Sequence, residues 1–149
     1  NPASNLKLAS GIAPVKRYLD LDIPVAIGTD GPASNNCLDM FREMFLVTGL
    51  QKVYCDDPEA VPARDVLKMS VTNGAHAMGL TDCDMIAPGK CADLIMIDLT
   101  QPNMQPLHNI EKNIVYSKVL YQDGIFYIGE TKEKIYENAN RVAERILGA

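Results

Sequence analysis

The sequence predicts an α/β protein, and two observations carry that prediction. Up to about residue 80, stretches with apolar residues at helical spacing alternate with a short apolar run that ends in turn formers. Beyond Leu80 the texture changes to compact β-rich runs, a hairpin signal at Asp123-Gly124 and a closing helical stretch. The change of texture predicts a boundary near residue 82, giving parts 1–82 and 83–149. A chain of 149 residues is long enough for one domain with a real core, or one and a fraction.

Each element has its own reason. In residues 13–20, Pro14 suits a first turn and Val15, Tyr18 and Leu19 recur at helical spacing. Residues 24–28, "PVAIG", suit a short buried strand. From Leu38 to about Tyr54, Leu38, Phe41, Phe45, Leu46 and Val53 predict a longer helix, loosened near Gly49, with Asp39 in a first turn where the helix dipole favours negative charge. Asp56-Asp57-Pro58 breaks that pattern. Residues 62–79 predict another helix: Pro62 opens it, Val66, Leu67, Met69, Val71 and Ala75 supply apolar positions, and Gly79 suits its C-terminal cap. "ADLIMIDL", residues 92–99, reads as a strand, followed by an irregular linker holding Pro102 and Pro106. Residues 113–128 predict two short strands around Asp123-Gly124. Residues 131–147 close with a helix carrying Ile135, Ala139, Val142, Ile146 and Leu147.

Composition excludes several classes of function. Hydrophobic residues make up 47% and charged residues 22%, as in an ordinary soluble globular protein. No apolar run approaches the roughly 18 residues of a membrane span, and no signal peptide is visible. A net charge of −5 argues against a nucleic-acid partner. Cys37, Cys55, Cys83 and Cys91 form no Cys-x-x-Cys pair, so spacing gives a cysteine-based zinc site little support and predicts free thiols in a reducing cytosol. The first residue is Asn1 rather than Met, as in a processed chain or a piece of a longer one.

The chemistry concentrates in "PVAIGTDGPASNN", residues 24–36, where a carboxylate, Asp30, ends the apolar run between Gly28 and Gly31. Asp-Gly is a turn dipeptide. Equally, catalytic groups of parallel α/β sheets gather where strands end, and a carboxylate there can bind a cation or accept a proton from metal-bound water. Pattern alone leaves both readings open. Ser4-Asn5 and Ser34-Asn35-Asn36 serve as caps and turns or line the same pocket mouth. Lys7 reads as a solvated lysine, and His76 and His108 as packing or surface residues. No Ser-His-Asp order and no nucleophile elbow are present.

Three stretches together resemble the amidohydrolase superfamily, in its cytosine deaminase and chlorohydrolase branch. "NPASNLKLASGIAPVKRYLDLDIPVAIGTDGPASNN" is similar to the family's seventh-strand loop, seventh helix and eighth strand; "SVTNGAHAMGL" to the helix returning from the barrel; and "IAPGKCADLIMIDL" to the entry into a small β-sandwich. "SNLKLASG" followed by "GTDGPASNN" looks most like the deaminases of adenosine derivatives. The resemblance implies the C-terminal end of a TIM (β/α)8 barrel (last strand and flanking helices), then part of a small β-sandwich and a terminal helix. It implies that Asp30 binds a divalent metal, most often zinc and sometimes iron, and passes a proton from metal-bound water to the departing amine. The hydroxide attacks the amidine carbon of a purine nucleoside and ammonia leaves. Ser34 and Asn35 would stand at the substrate pocket's mouth.

The resemblance further implies a cytoplasmic enzyme that forms a homo-oligomer. Guanine, cytosine, triazine or imidazolone rings are alternative substrates, and a non-catalytic scaffold module is an alternative role. The family's remaining ligands, histidines of earlier strands, are absent from this chain, so the chain alone is expected to be inactive and to self-associate through its uncovered face. Asp22 stands where the family commonly has glycine, at a left-handed helix end. "IVYSKVLYQDG" is about a dozen residues shorter than the family pattern near Ser117-Lys118.

Overall fold

In a computed structural model, the structure describes residues 1–117, the backbone strands Tyr121–Gln122 and Ile125–Phe126, and Glu133, Lys134, Glu137 and Arg141 in helical conformation. The rest of the predicted terminal helix, and the turn residues Asp123-Gly124, lie outside the described residues. Two compact units comprise Asn1–Ile95 and Met96–Ala149.

The first unit is helical. Its elements are α1 (Pro2–Lys7), α2 (Val15–Asp20), α3 (Pro32–Asn35), α4 (Met40–Cys55), α5 (Ala63–Ser70) and α6 (Thr72–Ala77). Helix α4 is the hub: it packs against α1, α2 and α5, while α1 also meets α3 and α5 meets α6. Asp39 is its N-cap, accepting from the backbone N–H groups of Phe41 and Arg42, which satisfies donors the first turn leaves orphaned. Gly49 does not loosen the helix, which runs unbroken to Cys55.

The buried face of α4 is not the one its hydrophobic residues mark. Leu38, ahead of the helix, and Phe45 and Val53 within it are exposed, Val53 to 83%. Glu43, Met44, Val47, Thr48 and Gln51 are buried instead. The physical reason is hydrogen bonding. Glu43 accepts from Ala3 N at 3.0 Å and from Asn35 Nδ2 at 2.8 Å. Thr48 Oγ1 donates to Val61 O at 2.8 Å. Gln51 Nε2 donates to Ala13 O at 2.9 Å, and its Oε1 accepts from Lys16 N at 3.0 Å. Each polar side chain meets backbone groups that burial would otherwise strand, and the apolar side chains Met44 and Val47 fill the space between. Val61 takes a left-handed φ of +45°, costly for a β-branched residue, and the Thr48 bond to its carbonyl holds it there.

The predicted helix over 62–79 is present but broken. Pro62 caps α5, Val71 (φ −104°, ψ −81°) ends it, and α6 restarts at Thr72. Val66 and Met69 are buried as expected, whereas Val71 is exposed. Gly79, at φ +77°, closes α6: its N–H donates to His76 O and the Leu80 N–H to Ala75 O. Asp22 follows α2 at φ +53°, the left-handed helix end expected for it.

The predicted strands at 24–28 and 92–99 have no ladder among the described residues. Strand character needs a neighbouring backbone. Residues 24–27 keep the local habit of one: Ile27 is buried and Val25 half-buried, while Pro24 and Ala26 are exposed. Their partners, however, belong to the helices. Ile27 N donates to Met69 O at 3.2 Å, and Asn73 Nδ2 donates to Val25 O at 2.8 Å. In 92–99, Leu94, Ile95 and Met96 are exposed, Met96 to 94%.

In the second unit, the linker with Pro102 and Pro106 contains a 3-10 turn (Pro102–Met104) and a helix, α7 (Ile110–Tyr116). Residues 113–116, predicted to enter a strand, are helical because local capping and packing override the propensity of Ile114 and Val115. Asn109 Oδ1 caps Lys112 N at 2.8 Å, Val115 is fully buried, and Asn113 Nδ2 donates to Met104 O. Beyond it β1 (Tyr121–Gln122) pairs antiparallel with β2 (Ile125–Phe126), Tyr121 opposite Phe126. No helix among the described residues is long and apolar enough to cross a membrane.

Candidate functional site

Asp30 ends the extended run after Ile27 and takes a left-handed φ of +63°, a conformation Asp tolerates better than most residues. Its Oδ1 accepts the Gly31 N–H at 2.8 Å, and Thr29 Oγ1 donates to Asp30 O. Gly31 then caps the single turn α3, and Asn36 leaves that turn at φ +64°. The Ser34 hydroxyl, then the Gly31 amide and the nearby Ser4 hydroxyl, stabilise the charged form and hold Asp30 below the ordinary carboxylate value. Ser4 Oγ is buried and makes no hydrogen bond of good geometry among the described residues, so its influence on Asp30 comes after those of Ser34 and Gly31. The carboxylate itself is exposed.

Ser34 and Asn35 fall on α3, the single turn that follows Asp30 in the chain. Ser34 Oγ also lies 3.0 Å from Gly31 O, and its single proton serves that carbonyl or the Asp30 carboxylate, one at a time. Asn35 is buried; its Nδ2 bridges Thr29 O and Glu43 Oε1, while its Oδ1 is buried without a hydrogen-bond partner among the described residues. Lys7, expected to be solvated, ties α1 to α3 through Ala33 O and Asn36 Oδ1. Of the two glycines beside Asp30, Gly28 is the one set in a close approach: a Cβ there would lie 2.8 Å from Asn1 Oδ1, whereas one at Gly31 would meet open space.

Glu43 is the residue that sequence reasoning missed. One carboxylate joins the first turn of α1, α3 and, through Asn35, the backbone just before Asp30. The available signal was a glutamate four positions before Val47 and eight before Gln51, all on one helical face. A cavity of about 120 Å³ lies nearby, lined by residues such as Ile12, Val15, Ile27, Val47, Gln51 and Met69, and it includes none of Asp30, Ser34 or Asn35. His76, half-exposed, pairs with Asp84 at 2.8 Å, and His108 is exposed; neither joins Asp30.

The donor set can be tested against the metal that the resemblance implies. Asp30 offers one charged carboxylate, suited to one ligand position of a hard or borderline cation. Among the described residues Asp30 belongs to no group of three His, Cys, Asp or Glu side chains close enough to share an ion. The chain therefore fits such a metal as the donor of a single ligand.

An exposed, charged carboxylate at the tip of an extended run, braced from below by a buried Glu–Asn bridge, defines a loop built to present an acid. The chain matches the amidohydrolase family over residues 1–133 and belongs to it. It is 42% identical over 161 aligned residues to a 5'-deoxyadenosine deaminase of Methanothermobacter thermautotrophicus, covering 99% of this chain and 37% of that protein. It is 50% identical over 117 residues to a 5-methylthioadenosine/S-adenosylhomocysteine deaminase of Dictyoglomus thermophilum, covering 78% of this chain and 28% of the relative. Among solved structures, an adenosine deaminase from Xanthomonas campestris with bound zinc superposes with a TM-score of 0.75 at 35% identity, over 99% of this chain and 37% of that one. The atrazine chlorohydrolase of Arthrobacter aurescens shares the fold, with a TM-score of 0.72 at 22% identity, over 94% of this chain and 34% of that one. The chain thus covers between 28% and 37% of the length of these proteins. The first alignment is longer than the chain's own 149 residues, as an internal gap in this chain requires.

Proposed function

We propose that this chain is the C-terminal portion of a metal-dependent aminohydrolase that removes ammonia from an adenosine derivative of the 5'-deoxyadenosine, methylthioadenosine or S-adenosylhomocysteine type. The observation that carries the reading is Asp30: a carboxylate kept charged by its own turn at the end of an extended run. Its setting in a chain 42% identical to a 5'-deoxyadenosine deaminase supports the substrate class. Residues 1–82 are then the closing portion of the barrel, with 24–28 its last strand, and residues 83–149 the sandwich flank. Strand partners for 24–28 and 92–99, and cover for the exposed Leu94 and Ile95, come from the remaining two thirds of such an enzyme or from a second copy. The whole protein is a cytoplasmic homo-oligomer with no nucleic-acid or membrane partner.

In this mechanism Asp30 is one ligand of a divalent metal, zinc by preference and iron as the alternative. When bound, such a metal supplies the Lewis acidity that brings the pKa of water toward neutrality. Asp30 receives the proton released from the attacking water and delivers it to the departing amine, so one water enters and one ammonia leaves. Charged at rest, Asp30 has an oxygen open to that proton, and its lowered pKa favours passing the proton on. Ser34 contacts the substrate side of the same turn. Asn35 fixes the turn's height through Thr29 and Glu43.

The experiment is ammonia release by the protein expressed in its full reading frame, supplied with 5'-deoxyadenosine, methylthioadenosine, S-adenosylhomocysteine and guanine. Asp30→Asn should lower kcat by orders of magnitude and reduce bound metal. Unchanged metal content and unchanged cellular role in that variant would favour a scaffold module instead.

A further inference from the structure

The loop leaving α6 is closed by its own hydrogen bonds. Cys91 N donates to Asp82 O at 2.8 Å, and Cys83 N donates to Leu80 O at 3.2 Å. Lys90 Nζ donates to Thr81 O at 2.6 Å and lies 2.7 Å from Asp84 Oδ1, an ion-pair contact. Asp84 in turn holds His76 Nε2 on α6 at 2.8 Å, and its carbonyl accepts from Thr72 Oγ1 at 3.3 Å. Both ends of the loop are thereby tied to one point on the helix. The tie brings together two thiols that the sequence separates by eight positions.

Cys91 Sγ lies 3.1 Å from Asp82 Oδ2, and Cys83 Sγ lies 3.6 Å from Asp82 Oδ1. One ligand atom from each of the three residues lies within 4.8 Å of the other two. Asp82 and Cys91 are exposed and Cys83 half-buried, so a solute ion can reach all three. We propose that Asp82, Cys83 and Cys91 form a binding site for a thiophilic divalent cation of the zinc type, separate from the Asp30 site and independent of the deaminase reading.

The geometry suits that ion. Tetrahedral bonds of about 2.3 Å to sulfur and about 2.0–2.2 Å to oxygen put sulfur and oxygen roughly 3.5 Å apart and two sulfurs roughly 3.8 Å apart. Cys91 Sγ lies 3.1 Å from one oxygen of the Asp82 carboxylate and Cys83 Sγ 3.6 Å from the other, each close to the first value. Two sulfurs and one oxygen favour zinc or cadmium over magnesium or calcium, which seek all-oxygen shells. Three protein ligands leave a fourth position for water.

The proton balance closes as well. Cys83 and Cys91 bind such an ion as thiolates, so each gives up its proton on binding. Binding breaks two S–H bonds, forms two metal–sulfur bonds and releases two protons to water. A charge of +2 replaces two protons, leaving the site's net charge unchanged.

The test is titration of the chain, kept reduced with a non-thiol reductant, with cadmium or cobalt(II) ions, following thiolate-to-metal charge-transfer absorption. A band saturating at one equivalent is expected. Cys83→Ser and Cys91→Ser should each weaken binding by about tenfold or more, while Cys37→Ser, Cys55→Ser and Asp30→Asn leave it unchanged. X-ray absorption of the unsubstituted cadmium form should count two sulfur neighbours per ion, which covers the case of a serine variant that misfolds. Absence of the band in excess cation, equal loss in the Cys37 or Cys55 variants, or fewer than two sulfurs per ion would each overturn the assignment.

Discussion

Replacing Glu43 by alanine tests the bracing of the Asp30 loop most directly. Glu43 is fully buried. Its two oxygens take two N–H donors from different segments: Ala3 N at 3.0 Å, an orphan of the first turn of α1, and Asn35 Nδ2 at 2.8 Å. Hydrogen bonds to a charged group contribute about 1.5–3 kcal/mol each, and a buried donor left bare costs about 1–3 kcal/mol. Asn35 Nδ2 keeps Thr29 O, so its loss is partial; Ala3 N keeps nothing, since it lies too early in α1 for a helical partner. Glu43→Ala should therefore cost about 3–5 kcal/mol, and Glu43→Gln, which retains one acceptor, about half as much. With a urea slope of about 2 kcal/mol per molar, the alanine midpoint falls by about 1.5–2.5 M. Urea unfolding followed by circular dichroism measures the change, and amide exchange at Ala3 localises it. A midpoint within about 0.3 M of the parent chain at unchanged slope would refute the reasoning, because the bridge would then contribute no more than an exposed contact.

Other outcomes follow from the same structure. Asp22→Gly removes a side chain from a left-handed position and should stabilise the chain by about 0.5–1 kcal/mol, read as a higher Tm. Gln51→Leu keeps the volume but strips Ala13 O and Lys16 N of their partner; a loss of about 2–4 kcal/mol is expected in denaturant unfolding. Lys90 first and His76 second lower the Asp84 carboxyl to about 2. The folded value lies below the ordinary 3.8, so the stability Asp84 contributes is full above that pH and disappears as pH falls toward 2. The gap between parent and Asp84→Asn urea midpoints should therefore be constant near neutrality and close between about pH 4 and 2; a gap that persists at pH 2 would contradict the pairing.

Family and helices were legible in the sequence because they rest on local rules. Pro14 and Pro62 mark helix starts, Gly79 and Asp22 take left-handed ends, and Asp39 sits where α4 begins. The order of "SNLKLASG", "GTDGPASNN" and "IAPGKCADLIMIDL" carried the resemblance, which the match over residues 1–133 bears out. The strands at 24–28 and 92–99 have no ladder among the described residues: "PVAIG" and "ADLIMIDL" have strand composition, but a ladder depends on a second backbone that composition does not supply.

Asp30 was singled out as a candidate from its local setting at the end of an apolar run, while what braces it was not legible there. Periodicity marks apolar positions, so Phe45 and Val53 were read as part of the apolar face of α4, whereas in the structure both are exposed and Glu43, Thr48 and Gln51 are buried. The sequence by itself determined where helices start and stop, which residues take left-handed turns and which family the chain joins, since these depend on neighbours a few positions away. Tertiary structure alone decided which face of α4 is buried, that Asn35 bridges Thr29 to Glu43, and that Cys83 meets Cys91 beside Asp82. Those outcomes turn on donors and acceptors brought together from distant segments, and a buried polar group is stable only where such a partner stands.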